Sequence, residues 1–343
     1  MSGERVRTLV VDDSAFARKV LREALASDPR IEVVGFARDG LEALETIGDL
    51  KPDVVTLDLM MPHLDGIGVL KELASMKSRS KVVVVSISGE ESEVVVHALQ
   101  LGAVELVRKP TALATDRLYE LSGDLIRAVL NAASARPPRS LPPPATAPAP
   151  TKRVSNVELV AVGASTGGPH ALTVLISSLP ADLPVPMVIG LHIPGEYTEA
   201  MASRLNSTTP LEVVEASDGL PLRPGLVVIA KGGVHLKLER YAGRIVTRLS
   251  QVPRESLYFP SIDVLFKSAV DVAGGNLLGV VLTGMGDDGC KGARAIVEAG
   301  GSVLTETEES CVVYGMPRAV REAGYSAGQA RIEEMAAAIA RRL

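Results

Sequence analysis

Seven prolines fall within the fifteen residues 136–150, and a single packed core cannot be threaded through such a stretch. Proline lacks the backbone N–H that helices and sheets require, and it pushes the preceding residue toward extended geometry. The tract is therefore expected to be a semi-rigid linker, residues 131–155, between a first domain at 1–130 and a second at 156–343. A chain of 343 residues with 46% hydrophobic content has material for two cores of ordinary size. No acidic residue occurs between Asn131 and Asn156, whereas Arg136, Arg139, Lys152 and Arg153 are basic. A solvated spacer is the expected role, with contact against an acidic surface as the alternative.

Both flanking regions alternate β-branched runs with helical patterns. Before the linker, 8–11, 32–36, 54–57, 81–85 and 104–107 read as strands. Between the first two, Phe16, Val20, Leu21, Ala24 and Leu25 share one helical face, and 41–44 and 94–101 behave similarly. After the linker, 159–163, 187–191, 226–230 and 278–282 are apolar runs followed by Gly-rich or polar turns. The expected fold class is α/β throughout, with a doubly wound, flavodoxin-like parallel sheet first and a second parallel-sheet domain after the linker.

In parallel sheets ligand chemistry gathers beyond the carboxyl ends of the strands. In the first domain these ends carry Asp12-Asp13, Asp58, Ser86 and Lys109-Pro110. Three carboxylates at one edge repel one another unless a cation joins them, and hard oxygen ligands suit Mg²⁺. Each residue has a plainer reading alone: Asp13 or Ser14 as a helix cap, Ser86 in a loop, Lys109 as a surface lysine. Their joint position at four strand ends argues for phosphoryl chemistry at Asp58, with Lys109 and Ser86 facing the phosphoryl oxygens. Val10-Val11-Asp12-Asp13-Ser14, Leu57-Asp58-Leu-Met60-Met-Pro-His-Leu-Asp65-Gly66 and Lys109-Pro110 resemble the response-regulator receiver domain over roughly residues 4–125. The resemblance implies a partner histidine kinase and a phosphoryl-accepting Asp58. It implies Mg²⁺ on the side chains of Asp13 and Asp58 and the carbonyl of Met60, beside Asp12 of the same carboxylate cluster, and a switch at Ser86 and Lys109. Leu106 stands where many receivers carry an aromatic switch residue.

In the second domain Gly163-Ala-Ser165-Thr166-Gly167-Gly168-Pro169 follows a strand and precedes a helix, with proline placed for the first turn. Glycines around a serine permit the sharp turn that exposes a nucleophile, and the Thr166 N–H is a candidate oxyanion donor. A phosphate-binding loop is the competing reading, but the lysine of a P-loop is absent. A serine nucleophile needs a base, and His170, His192 and His235 are the histidines available. His192 closes the run 187–191 and should emerge at the Ser165 edge. His170 and His235 read as core or surface histidines, the latter in a hairpin. An orienting acid is offered by Asp287 and Asp288 after 278–282, and spacing alone does not choose between them; the other is expected to cap the next helix.

These motifs, with Pro260-Ser261-Ile-Asp263-Val-Leu-Phe266, Thr283-Gly-Met285-Gly-x-Asp288-Gly and Ser310-Cys-Val-Val-Tyr-Gly-Met-Pro317, resemble the chemotaxis protein-glutamate methylesterases over nearly the whole chain. That family implies Ser165, His192 and Asp288 as catalytic residues, with Thr166 and Met285 supporting the oxyanion and no cofactor in the esterase site. It implies a phosphorylation-activated serine hydrolase acting on methylated glutamates of chemoreceptor signalling helices, with glutamine deamidation as a second activity. Relatives are expected to carry basic residues before Pro-Ser-x-Asp, whereas Ser256-Leu257-Tyr258-Phe259 stand here. Rival readings are an inactive phosphorylation-controlled binding protein, a transcriptional regulator, and an esterase for another substrate. The regulator would need a basic recognition helix that is absent.

A formal charge of −5, 3% aromatics and no Trp exclude the basic stacking surface of a nucleic-acid binder. Two cysteines, Cys290 and Cys311, suit a reducing compartment, and no run of about 18 apolar residues occurs. A cytoplasmic monomer without membrane insertion is the expectation.

Overall fold

The computed structural model describes residues 5–86, 92–109, 115–135 and 156–343, side chains of 115–121 excepted. The chain divides into two compact units, Met1–Ser140 and Leu141–Leu343. The proline tract lies outside the described residues.

The first unit runs β1 (Val6–Val11), α1 (Ala15–Ala26), β2 (Ile31–Ala37), α2 (Gly40–Leu50), β3 (Val54–Leu57), α3 (Gly66–Ser75), β4 (Lys81–Ser86), α4 (Ser92–Gln100), β5 (Glu105–Arg108) and α5 (Thr115–Ser134). Its sheet is parallel, in the order β2-β1-β3-β4-β5. The central β3 is buried at every residue because helices cover both faces, and even its polar Thr56 is enclosed, its hydroxyl donating to the Leu9 carbonyl at 3.4 Å. Helix α5 continues to Ser134, past residue 130. Two expectations fail: Phe16 is 58% and Leu41 59% exposed. Val20, Leu21, Ala24 and Leu25 alone form the core face of α1. The buried stripe is narrower than the apolar one.

The second unit continues with β6 (Leu159–Ala164), α6 (Gly168–Ser177), β7 (Met187–Leu191), α7 (Gly195–Thr208), β8 (Glu212–Glu215) and β9 (Leu226–Ile229). An antiparallel hairpin follows, β10 (His235–Tyr241) and β11 (Arg244–Ser250). Then come α8 (Ile262–Ala273), β12 (Leu277–Val281), α9 (Cys290–Glu298), β13 (Ser302–Glu306), α10 (Met316–Glu322), β14 (Gly328–Ala330) and α11 (Ile332–Ala340). The seven strands of the main sheet are parallel, in the order β14-β13-β12-β6-β7-β9-β8. The three strands the pattern did not predict, β8, β13 and β14, lie toward the sheet margins, with charged termini in β8 and three residues in β14. Their neighbours β12, β6, β7 and β9 are buried throughout and sit where the apolar runs place them. Among the described residues no helix is long and apolar enough to cross a membrane.

Candidate active site and acidic pocket

Strand register assembles the acidic pocket. Val11 of β1 lies opposite Leu57 of β3, and the Asp58 N–H donates to the Val11 carbonyl at 3.0 Å. Asp12 and Asp58, the next residue on each strand, therefore leave the sheet side by side. Both are buried while Asp13 is exposed, and one carboxylate oxygen from each lies within 4.8 Å of the others. Lys109, one residue beyond β5, puts Nζ 2.7 Å from Asp12 Oδ2 and 2.7 Å from Asp58 Oδ2. Ser86 closes β4, fully buried. The cap of α1 is Ser14, whose Oγ accepts the Ala17 N–H at 3.3 Å, so capping is not the role of Asp13.

Burial raises the Asp58 pKa above the usual aspartate value by more than the Lys109 bond and charge lower it, and the Asp12 charge adds to the rise. Burial draws the Lys109 ammonium down, but its bonds to Asp12 and Asp58 outweigh this and hold its pKa above the ordinary value. One ammonium among three carboxylates leaves positive charge in deficit. The all-oxygen donor set fits a hard divalent cation.

In the second unit three neighbouring strands deliver the three expected residues. Ala164 of β6 lies opposite Leu191 of β7, and the His192 N–H donates to the Ala164 carbonyl at 3.1 Å. Ser165 and His192 thus follow paired residues at the same sheet edge. On the other side of β6, Val281 of β12 lies opposite Gly163, and the Ser165 N–H donates to the Thr283 carbonyl at 3.0 Å. The Ser165 carbonyl turns back to accept the Gly168 N–H at 2.6 Å. That turn needs a left-handed residue at the start of α6, supplied by Gly167 at φ +77°. Pro169 occupies the first turn of α6, as its fixed φ and missing N–H allow.

Asp288, in the β12–α9 loop, sets its Oδ2 3.0 Å from His192 Nε2. The opposite ring nitrogen, Nδ1, is buried with no hydrogen-bond partner among the described residues. Asp288 itself is held by donors from the start of α8. Its Oδ1 accepts from Ser261 Oγ at 3.0 Å and from the Asp263 N–H at 3.0 Å, and its Oδ2 from the Ile262 N–H at 2.8 Å. The Gly289 N–H adds a contact to Oδ1 at 3.1 Å. Burial pushes the Asp288 pKa up, but the His192 hydrogen bond and these backbone donors prevail and hold it below the usual value. A carboxylate so held stays ionised, accepts Nε2–H, and leaves the Nδ1 lone pair for a base.

The adjacent carboxylate is not the expected cap. Asp287 is exposed, and α9 is capped from another element: Asp263 Oδ1 accepts the Gly289 N–H at 3.0 Å and the Gly292 N–H at 2.7 Å. One short segment at the start of α8 therefore orders both the acid and the helix behind it.

Thr283, Gly284 and Met285 form the wall beside Ser165. A Cβ on Gly284 would lie 2.7 Å from Ser165 Cβ and collide with Met316 Sδ, so only glycine permits this approach. The 310–317 motif pins the turn: Gly284 N–H donates to Val313 O at 3.0 Å, and Gly315 and Met316 N–H donate to Gly284 O at 3.0 and 2.9 Å. Thr283 Oγ donates to the Thr166 carbonyl at 3.0 Å, tying the wall to the serine turn. Met285 is partly exposed and Thr166 buried.

Behind this wall lies Glu306, almost wholly enclosed, accepting from the Thr283 N–H at 2.8 Å and from Ser310 Oγ at 2.9 Å. Burial pushes its pKa up from 4.5 to about 7, against the pull of the bonds from Thr283, Ser310 and Cys311. A carboxyl raised on folding contributes stability that is complete below its ordinary pKa and is lost as pH rises through about 7. Glu306→Gln is therefore expected to match the parent's Tm in acid and to exceed it above about pH 7. A Tm difference that does not change with pH would refute the assignment.

Of the other histidines, His170 is buried in α6. His235 accepts the Ser261 N–H at Nδ1, 3.2 Å away, and approaches Pro253 O at 2.9 Å through Nε2. Both are built into the fold, as expected. The reading of the sequence missed Tyr258, whose ring stacks on His192, and Glu306. Neither carried a periodic or spacing signal.

An acidic pocket at the edge of one parallel sheet, and a serine, a histidine and an aspartate gathered at the edge of a second, suit a receiver joined to a hydrolase. Residues 160–339 match the CheB methylesterase family and residues 8–120 the response regulator receiver domain. The chain is 59% identical to protein-glutamate methylesterase/protein-glutamine glutaminase 5 of Myxococcus xanthus, over 98% of this chain and 97% of that one. It is 38% identical to the corresponding protein of Thermotoga maritima, over 95% of each. The crystal structure of the Thermotoga maritima CheB methylesterase catalytic domain superposes with a TM-score of 0.53 at 36% identity, covering 55% of this chain and 99% of that one. The chain belongs to the CheB protein-glutamate methylesterase/protein-glutamine glutaminase family.

Proposed function

We propose that Ser165, His192 and Asp288 form the catalytic triad of a phosphorylation-activated esterase that hydrolyses glutamate methyl esters on chemoreceptor helices. The observation that carries this reading is the 3.0 Å contact between His192 and a caged, ionised Asp288, at the sheet edge where Ser165 emerges. His192 Nδ1 takes the Ser165 proton as Oγ attacks the γ-carboxyl carbon. The protonated ring then returns that proton to the departing methoxide, giving methanol and an acyl-enzyme, and water repeats the sequence to release glutamate. A glutamine side chain would follow the same route with ammonia as the leaving group. Thr166 and the Gly284–Met285 turn line the side where the oxyanion develops.

Residues 1–135, through the end of α5, serve as receiver, 136–155 as linker and 156–343 as esterase. Asp12, Asp13 and Asp58, with the Met60 carbonyl, would hold Mg²⁺, which neutralises charge during phosphoryl transfer from a histidine kinase to Asp58. Lys109 and Ser86 then read the phosphoryl group, and the population shifts toward an active arrangement.

The test is methanol release from a methylated receptor fragment, with and without a small-molecule phosphodonor and Mg²⁺. Phosphodonor with Mg²⁺ should raise the rate, and the Asp58→Asn chain should neither take up phosphate nor respond. No methanol under any condition would reject the substrate class, and activation surviving in Asp58→Asn would reject the phosphoacceptor.

A further inference from the structure

The mechanism places demands on both ring nitrogens of His192 but leaves open what holds the ring in its plane. A single hydrogen bond, from Nε2 to Asp288, is a pivot. Rotation about it would redirect Nδ1, and among the described residues no second hydrogen bond to the imidazole opposes that rotation. An imidazole that works as a base at one nitrogen and is tethered at the other needs a constraint on its face.

Tyr258 supplies such a face. Its ring lies parallel to the imidazole, with centroids 4.2 Å apart and planes 8° from parallel. We infer that Tyr258 is a positioning residue for the catalytic base, acting through His192 and not on the substrate. The inference rests on the triad reading above.

The tyrosine is itself held from both sides in sequence. Its neighbour Phe259 stacks on His235, centroids 4.4 Å apart, and the Phe259 carbonyl accepts the Gly233 N–H at 2.9 Å. His235 is fully buried and bonds both Pro253 and Ser261, the two ends of the loop that carries Tyr258. Ser256 Oγ donates to the Tyr258 carbonyl at 3.0 Å. Three residues further on, Ser261, Ile262 and Asp263 supply the donors that cage Asp288. One segment, 253–263, thus fixes the acid by hydrogen bonds and the base by stacking, so the two partners cannot drift independently. The phenol face also covers one face of the imidazole from water and presents π-electron density to the ring as it becomes a cation.

The stack needs an aromatic ring and not the hydroxyl, which sets the experiment. Methanol release from a methylated receptor fragment is measured for the full-length parent, Tyr258→Phe, Tyr258→Leu and Tyr258→Ala, with Ser165→Ala alongside. Tyr258→Phe should keep kcat within about twofold, while the leucine and alanine chains should lose about tenfold or more in kcat at nearly unchanged KM, because misplacement of a reacting group slows chemistry and not binding. Should the alanine chain fail to fold, leucine against phenylalanine decides the same question at similar bulk. Parent-like kcat in Tyr258→Leu would overturn the proposal, as would a phenylalanine chain as slow as leucine, or losses confined to KM. Activity remaining in Ser165→Ala would instead overturn the triad reading, whatever Tyr258 does.

Discussion

Replacing Ser165 by alanine is expected to lower methanol release by about 10⁴-fold or more, to a residue supported by the oxyanion wall alone. The substitution removes one oxygen from a position whose backbone is fixed independently, by Ser165 N–H to Thr283 O and Gly168 N–H to Ser165 O. Neither bond involves the side chain, so the fold and the receiver's phosphorylation should be untouched. The assay pairs methanol release with phosphate uptake on the same protein. Uptake at the parent level with methanol at background is the expected outcome, and a Ser165→Ala chain that still turns over would remove the serine from the mechanism.

The second large effect separates two neighbours in sequence. Asp288→Asn should lower kcat by about 10³- to 10⁴-fold, whereas Asp287→Asn, exposed and outside the cage, should change it within about twofold. Asparagine at 288 can still turn its oxygen toward Ser261 and the Asp263 N–H. Its amide nitrogen then faces His192 Nε2 and the Ile262 N–H, where a donor meets donors. The ring is driven to the tautomer with hydrogen on Nδ1, which cannot accept the serine proton, and a buried N–H of Ile262 is left unpaired. Loss of stability should accompany loss of rate. The Asp288 pKa lies below the usual value, so the parent holds this contribution above the ordinary aspartate range and surrenders it only as pH falls through the depressed value. The variant should show a lower Tm at neutral pH and a difference that shrinks in strong acid. Equal kcat in the two asparagine variants would displace Asp288 from the triad.

The candidate residues were legible because parallel sheets gather polar groups beyond the ends of their strands. Asp12, Asp58, Ser165 and His192 each directly follow the apolar residue that closes a strand, and register sets each pair side by side. What stayed hidden depends on contacts between segments distant in the chain. The resemblance pointed to Asp288 over Asp287, but the physical reason, the donors of Ser261, Ile262 and Asp263 more than twenty residues away, left no trace in spacing. Asp263 as the cap of α9 defeats any local rule, since caps are sought just before the helix they serve. Tyr258 lies in a loop without periodicity, so its stacking partner has no trace in spacing. Phe16 and Leu41 mislead for a different reason: period shows which side chains share a face, not how far the sheet extends to cover them. Strands β8 and β14 are too short or too polar at their ends to stand out from turns.

The order β12-β6-β7 gives activity a second use, as a clock for assembly. Ser165, His192 and Asp288 arrive on three adjoining strands separated by long stretches of chain. A chain with β7 docked on β6 and β12 still loose would bring Ser165 and His192 together without Asp288. Regain of turnover during refolding should therefore wait for the long-range pairing of β12 on β6 and lag behind helical circular dichroism.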